Sequence, residues 1–379
     1  MIEGRITKRR VIVAATALLL AGCKMVPGGP GKTPAPPTDN LPGDQSRHRV
    51  ALLVPLSGAN AGIGQSIANA TTMALLDTNA RNIRITTYDT ATGASAAARK
   101  AVGEGAKLIL GPLQADEVAP VASVARAAKV PLITYSSDQG VATRDVFQMG
   151  TTPENSIDRT VRWARGRGAL RFGLLAPNGD YGSRASAAFN TSVRASGGTV
   201  VATSTYDRAN TSVISAAQRL RGRGAFDAIM IADGSRFAVL AAPNLKRGAA
   251  TPRLLGTELW SGESAIAKTA ALRGSWFSAV PDNRFRQFSD SYKARFGAAP
   301  YRMATMGYDS VLLTVRVARD WRPGTPFPVA RLTERDGFLG LDGPFRFGLD
   351  GAIDRALEVR EAKAGSVTVV SPAPAKFAD

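Results

Sequence analysis

RVALLVPLSGANAGIG, residues Arg49–Gly64, passes from an unbroken apolar run into a Ser57-Gly58-Ala59-Asn60 loop. A short apolar run bounded by turn residues reads as a strand buried on both faces, the kind found in parallel sheets. Gly64–Asn79 follows with Ile67, Ala70, Ala74 and Leu75 at helical spacing. Strand, polar loop and helix then recur. Ile83–Tyr88, Leu108–Leu110 and Pro131–Tyr135 read as further strands, and Ser95–Glu104 and Asp116–Lys129 as helices. Alternation of this kind predicts an α/β fold built on a parallel sheet with helices on both faces.

The pattern restarts after Thr151-Thr152-Pro153. Strands are expected at Arg171–Ala176, Thr199–Thr205, Ala228–Ile231, Arg253–Leu255 and Ser275–Val280, with helices between them. Two more helices, Phe285–Phe296 and Met303–Arg319, precede an ending of different character. There Gly343–Phe347, Ala356–Glu361 and Ser366–Val370 are separated by turns at Asp350-Gly351 and Lys363-Ala364-Gly365, which suggests antiparallel strands. Two α/β sets in one chain predict two lobes, each a mostly parallel sheet flanked by helices, joined by three crossovers. The first lobe is expected at 49–150 and 282–341, and the second at 151–281 and 342–372. A tail at 373–379 follows.

The other end of the chain carries a targeting signal. Arg5, Lys8, Arg9 and Arg10 precede the apolar run Val11–Leu20, which leads directly into Leu20-Ala21-Gly22-Cys23. This is the layout of a secretory signal peptide over residues 1–22. The tetrapeptide resembles the lipobox of bacterial lipoproteins, which implies that Cys23 is acylated and anchors the chain in an envelope membrane. Lys24 is not the Asp that marks inner-membrane retention in enteric bacteria, so the outer membrane is expected. Residues 23–48, rich in Pro and Gly, read as an extended tether, with His48 at its end.

Composition narrows the chemistry. Cys23 is the only cysteine and His48 the only histidine. Disulfides and thiolate metal clusters are therefore excluded, and a Ser-His-Asp triad would have to draw on the tether. Gly62-Ile63-Gly64-Gln65-Ser66-Ile67 lacks the third glycine of a dinucleotide fingerprint, and no phosphate-binding GxxxxGK[ST] loop occurs. No cofactor, metal or catalytic residue is expected. Lys and Arg number 48 against 30 Asp and Glu, a net +18, which favours anionic partners. The densest basic stretches, Arg162–Arg167 and Arg219–Arg223, fall at predicted helix ends, where cations complement the dipole. Export speaks against nucleic acid.

In open α/β sheets, ligands bind beyond the carboxyl ends of the strands. The loops to watch are 56–64, 111–116, 135–141, 177–182, 232–236 and 256–260. Several stretches in their order along the chain resemble the type I periplasmic binding proteins, the Leu/Ile/Val-binding group. They are Leu53–Gly64, Ala106–Leu113 (AKLILGPL), Lys129–Ser137 (KVPLITYSS), Asp180-Tyr181-Gly182, Gly307-Tyr308-Asp309 and Gly343–Arg355. Within that group the lipobox, the tether and Ala94–Leu113 look most like the penicillin-binding protein activators. Those are non-catalytic lipoproteins that regulate peptidoglycan synthases. The resemblance implies that function, or alternatively a solute receptor for an ABC importer, with an ABC permease as partner and an amino acid or amine as ligand.

The same resemblance implies a site. Glu258 matches the acid that holds a ligand ammonium, and Tyr181 matches a flanking aromatic. Ser136 and Ser137 lie in the ligand-contacting loop. Ala115 stands where a hydroxyl is expected, Ile63 where an aromatic is, and Asp138 where a Thr is. An acid about 4 Å from a ligand carboxylate would repel it by roughly 4 kcal/mol at an effective dielectric near 20. Ser57, Ser136, Asp138, Tyr181 and Glu258 are therefore expected to converge on an acidic cleft that prefers amines or peptide-like fragments.

Overall fold

The computed structural model describes residues 46–247 and 251–377. The signal segment, Cys23 and nearly all of the tether lie outside the described residues.

The opening apolar run forms β1 (His48–Val54), buried along almost its whole length. The chain then alternates through α1 (Ala61–Thr78), β2 (Ile83–Asp89), α2 (Ala94–Gly103), β3 (Leu108–Leu110), α3 (Ala115–Ala127), β4 (Leu132–Thr134) and β5 (Val146–Gln148). The five strands form one parallel sheet in the order β2-β1-β3-β4-β5. Strands of a sheet covered on both faces must be apolar on both, as β3 and β4 are.

A second set continues with α4 (Pro153–Arg165), β6 (Arg171–Pro177), α5 (Asp180–Ala195), β7 (Thr199–Tyr206), α6 (Ser212–Arg221), β8 (Ala228–Ile231), α7 (Ser235–Leu245), β9 (Arg253–Gly256), α8 (Ser264–Lys268) and β10 (Trp276–Ala279). Thr152 caps α4 by accepting the Asn155 N–H, with Pro153 at the first helical position. The chain then returns to the first lobe for α9 (Asn283–Phe296) and α10 (Ala304–Ala318). It continues through β11 (Phe338–Gly340), β12 (Gly343–Phe347) and β13 (Ile353–Arg355), and crosses a third time into β14 (Glu358–Ala362) and β15 (Val367–Ser371). The second sheet runs β15-β14-β10-β9-β8-β6-β7, antiparallel only at β14 and β15. This is the two-lobed type I periplasmic-binding-protein fold.

Each sheet has a core on both faces. In the first lobe, Leu52, Leu110 and Phe147 pack with Met306 and Leu313 of α10 on one side, while Ala51 and Ile109 pack with α2 and α3 on the other. In the second lobe, α6 and α7 cover one face, and α4 and α5 the other.

The two lobes share one construction at their first loops. A Cβ on Gly64 would lie 1.7 Å from the Pro55 carbonyl oxygen, and a Cβ on Gly182 would lie 1.7 Å from that of Pro177. In each lobe the helix begins directly against the end of the preceding strand, so its first turn faces the space between the lobes.

Two expectations change. His48 is the first residue of β1, only 4 % exposed and stacked on Trp321 at 3.9 Å between ring centroids. The folded domain therefore begins inside what reads as tether, and burial lowers the His48 pKa. β12 and β13 belong with the first lobe rather than the second. Phe345, Phe347 and Ile353 enter the first core, Phe347 packs edge-on to Phe147, and the Gln148 N–H donates to the Gly351 carbonyl at 2.9 Å. The first lobe thus extends to Arg355. The antiparallel strands expected at 356–361 and 366–370 are β14 and β15, which pair with each other, and β14 also pairs with β10.

Candidate functional site

The carboxyl ends of both sheets open on a cleft of about 920 Å³, near the upper end of the range for small-molecule sites. From the second lobe, Tyr181, Glu258 and Leu259 line it. From the first lobe come Gln114, Tyr135 and Ser137. The hinge side contributes Val280, Phe285, Arg302, Met303, Met306 and Asp342. The walls are mostly apolar, with a few polar groups set into them.

Glu258 follows β9 at the start of a short 3₁₀ turn. Its Oε1 accepts the Tyr181 hydroxyl at 3.1 Å, and that hydroxyl also lies 3.1 Å from Thr257 Oγ1. Its Oε2 is buried and has no hydrogen-bond partner. Desolvation pushes the Glu258 carboxyl up to about 7, with the neighbouring Glu154 charge adding to the effect. Burial and the Glu258 charge also raise the Tyr181 phenol. An unfilled carboxylate oxygen in an apolar cleft is a receptor for a hydrogen-bond donor, and best for a cationic one.

Three of the expected residues lie elsewhere. Ser57 is exposed and donates to Asp89 Oδ2 at 2.7 Å. The Leu56 N–H donates to Asp89 Oδ1, and the two bonds hold the Asp89 carboxyl below the usual range. The register of β1 on β2 sets Val54 beside Asp89, which brings the acid to this loop. Ser57 therefore shapes a loop outside the cleft. Ser136 is buried, and its Oγ accepts the Asp138 N–H at 3.0 Å. Asp138 itself turns away from the cleft. It accepts the Gly140 N–H at 2.9 Å and pairs with Arg184 at 3.3 Å. A carboxylate so engaged does not confront a ligand. Of the five residues expected to converge, Tyr181 and Glu258 line the cleft, and Ser137 of the expected ligand loop lines it with them.

Arg184 is the residue that the sequence did not single out. It projects from α5, forks onto Glu154 at 3.0 and 2.9 Å, and donates to the Ser137 carbonyl at 2.8 Å. Together with the Asp138 pair, this ties the second lobe to the ligand loop of the first. Arg184→Ala is expected to loosen this contact between the lobes. The radius of gyration of the ligand-free protein should increase in small-angle scattering, with about 1 kcal/mol of stability lost, as for a partly exposed pair. An unchanged radius would mean that the hinge alone sets the angle between the lobes.

Among the described residues, no cluster of His, Cys, Asp and Glu could hold a metal, and no helix is long and apolar enough to cross a membrane.

The periplasmic binding protein family model matches residues 48–366. The chain belongs to that family. A branched-chain amino acid ABC transporter periplasmic ligand-binding protein of Burkholderia xenovorans superimposes with a TM-score of 0.70 at 16% identity, covering 86% of this chain and 96% of that one. The branched-chain amino acid transporter substrate binding protein of Streptococcus pneumoniae, solved with isoleucine, gives 0.60 at 20% identity over 86% and 100%. A solute binding protein of an ABC transporter from Rhodopseudomonas palustris, solved with 3,4-dihydroxybenzoic acid, gives 0.64 at 21% over 88% and 97%. An uncharacterised protein of Rickettsia prowazekii is 29% identical over 140 residues, 36% of this chain and 38% of that protein. The family and these structural neighbours are ligand-binding proteins. At such identities the structural likeness establishes the fold, and the ligand has to be argued from the cleft.

Proposed function

We propose that this protein is a solute-binding receptor of an ABC importer that captures a small amine-bearing ligand between its lobes. One observation carries the reading: the unfilled, buried Oε2 of Glu258 in a largely apolar interlobe cleft. Asp138, turned onto Gly140 and Arg184, presents no obstacle to an amino-acid-like ligand. The neighbours solved as transporter binding proteins support the same reading.

The activator role rests on the sequence resemblance of the lipobox, the tether and Ala94–Leu113. In either role Cys23 carries the lipid and holds the protein at the envelope membrane, and the outer-membrane placement goes with the activator role. The two readings separate in one experiment. The lipidated protein is captured from its own envelope by crosslinking, and its partners are identified. Recovery of an ABC permease supports the receptor. Recovery of peptidoglycan synthases without a permease overturns it in favour of the activator. In parallel, thermal shift against amines should show stabilisation of about 2.7 kcal/mol at a hundredfold excess over Kd.

A further inference from the structure

Several hydroxyls of the first lobe are engaged within the lobe. Thr134 Oγ1 donates to the Pro112 carbonyl at 2.8 Å and accepts the Ser136 N–H. Ser136 Oγ is taken by the Asp138 N–H, Ser57 Oγ by Asp89, and Ala115 carries none. The first turn of α3 carries Asp116 and Glu117, which oppose an anion at that helix end. Of these loop hydroxyls, only that of Ser137 is left on the first-lobe wall for a ligand carboxylate.

The hinge side differs. Arg302, just before α10, lies over the Phe285 ring at 4.0 Å, and its Nη2 forms ion pairs with Asp342 at 2.8 Å and Asp282 at 3.7 Å. Neither contact is aligned as a hydrogen bond, and neither Nη1 nor Nη2 of Arg302 has a hydrogen-bond partner. A guanidinium presents five donors in a rigid fork, and here its two terminal nitrogens are buried without an aligned hydrogen-bond acceptor, Nη2 being paired only electrostatically. Arg286, exposed, lines the cleft on the same side. Among the described ion pairs none joins Arg302 to Glu258, although both line one cavity. The unfilled donors and the unfilled acceptor are thus separate, with Val280, Leu259, Met303 and Met306 among the apolar walls.

We propose that the cleft selects a ligand with opposite charges at the two ends of an apolar body, its amine at Glu258 and its carboxylate at Arg302. This deepens the receptor reading and rests on its assignment of Glu258. Short apolar peptides and ω-amino acids share this chemistry. A free α-amino acid, with both charges on one carbon, does not.

The test is calorimetric titration of the wild type, Arg302→Gln, Arg302→Lys and Glu258→Gln. The probes are Leu-Leu, ω-aminooctanoate, leucine, Leu-Leu amide and N-acetyl-Leu-Leu. The wild type is expected to bind Leu-Leu roughly 10- to 100-fold more tightly than its amide, the range for a hydrogen bond to a charged group. Arg302→Gln should erase that preference, with circular dichroism and the melting temperature reporting an intact fold. Arg302→Lys should keep part of it, as a point charge without the fork. Leu-Leu and ω-aminooctanoate separate a peptide from an ω-amino acid as the source of the chemistry.

A carboxylate preference undiminished in Arg302→Gln overturns the proposal. So does leucine binding as tightly as both extended probes. If amine-bearing probes still require Glu258 in those cases, the receptor reading survives alone. If N-acetyl-Leu-Leu binds as well as Leu-Leu and Glu258→Gln changes nothing, both fall.

Discussion

Glu258→Gln is expected to weaken amine binding by a hundredfold or more while making the ligand-free protein more stable at and above neutral pH. The two effects have one cause. Glu258 sits where desolvation raises its pKa to about 7, above the 4.5 of an unperturbed glutamate. A carboxyl whose folded pKa is raised stabilises the fold fully below pH 4.5, and that contribution is lost as pH rises towards 7. Above 7 the folded protein carries a buried charge that it solvates poorly. Removing the charge recovers up to about 3 kcal/mol, the shift converted at 1.36 kcal/mol per unit. Thermal melts at pH 5 and pH 8 should therefore show the variant gaining mainly at pH 8.

Binding runs the other way. A bound ammonium left facing a neutral amide loses the partner that offsets its desolvation. Such truncations cost about 2–5 kcal/mol, which is where the hundredfold comes from. In the wild type, affinity for an amine should fall as pH drops below 7, because the carboxylate must ionise to receive it. Equal amine affinity in the two proteins would show that Glu258 does not contact the ligand.

Gly182→Ala is expected to destabilise the second lobe by about 3 kcal/mol, against the direction of helix propensity. Gly182 lies within α5 at a negative φ, so alanine should favour the helix by roughly 0.5–1 kcal/mol. The close approach decides the sign. The added Cβ would sit 1.7 Å from the Pro177 carbonyl oxygen, and Pro177 is fixed by its pairing opposite Tyr206 in β7. Relief requires α5 to move as a unit, the overpacking case. α5 carries Tyr181 and Arg184, so ligand affinity and lobe closure should suffer together. Gly103→Ala, at the end of α2 with open space around the new methyl, is the control and should be neutral or slightly stabilising. Chemical denaturation distinguishes the two. If Gly182→Ala matches Gly103→Ala, the close approach does not constrain the fold.

Much of this architecture was legible locally. RVALLVPL is apolar at every position but the first, and with its short length and bounding turn residues it reads as a strand covered on both faces. Repetition of strand, polar loop and helix on either side of Thr151-Thr152-Pro153 fixed two lobes and, through the strand-end rule, the loops that meet. The strand-end rule gave their loops, but Tyr181 and Glu258 themselves were named by the resemblance to the Leu/Ile/Val-binding group.

What escaped was pairing between residues distant in the chain. β5 and β11 are three residues long, too short to show a period. The alternation of Phe345 and Phe347 announces a strand but not which core receives it. Phe147, some 200 positions earlier, settles that. Asp138 was read as facing a ligand because its loop does. Its side chain instead follows Gly140 and Arg184, and Arg184 belongs to the other lobe.

Arg302 shows the limit most clearly. Its identity is plain in the sequence, but its unfilled donors become apparent only when Phe285, Asp342 and every other candidate partner have been placed. Local periodicity determines which backbone forms where, because it depends on neighbours three or four residues away. Whether a buried polar atom is satisfied depends on the whole fold, and in this protein that accounting separates the loop residues that build the cleft from those positioned to receive a ligand.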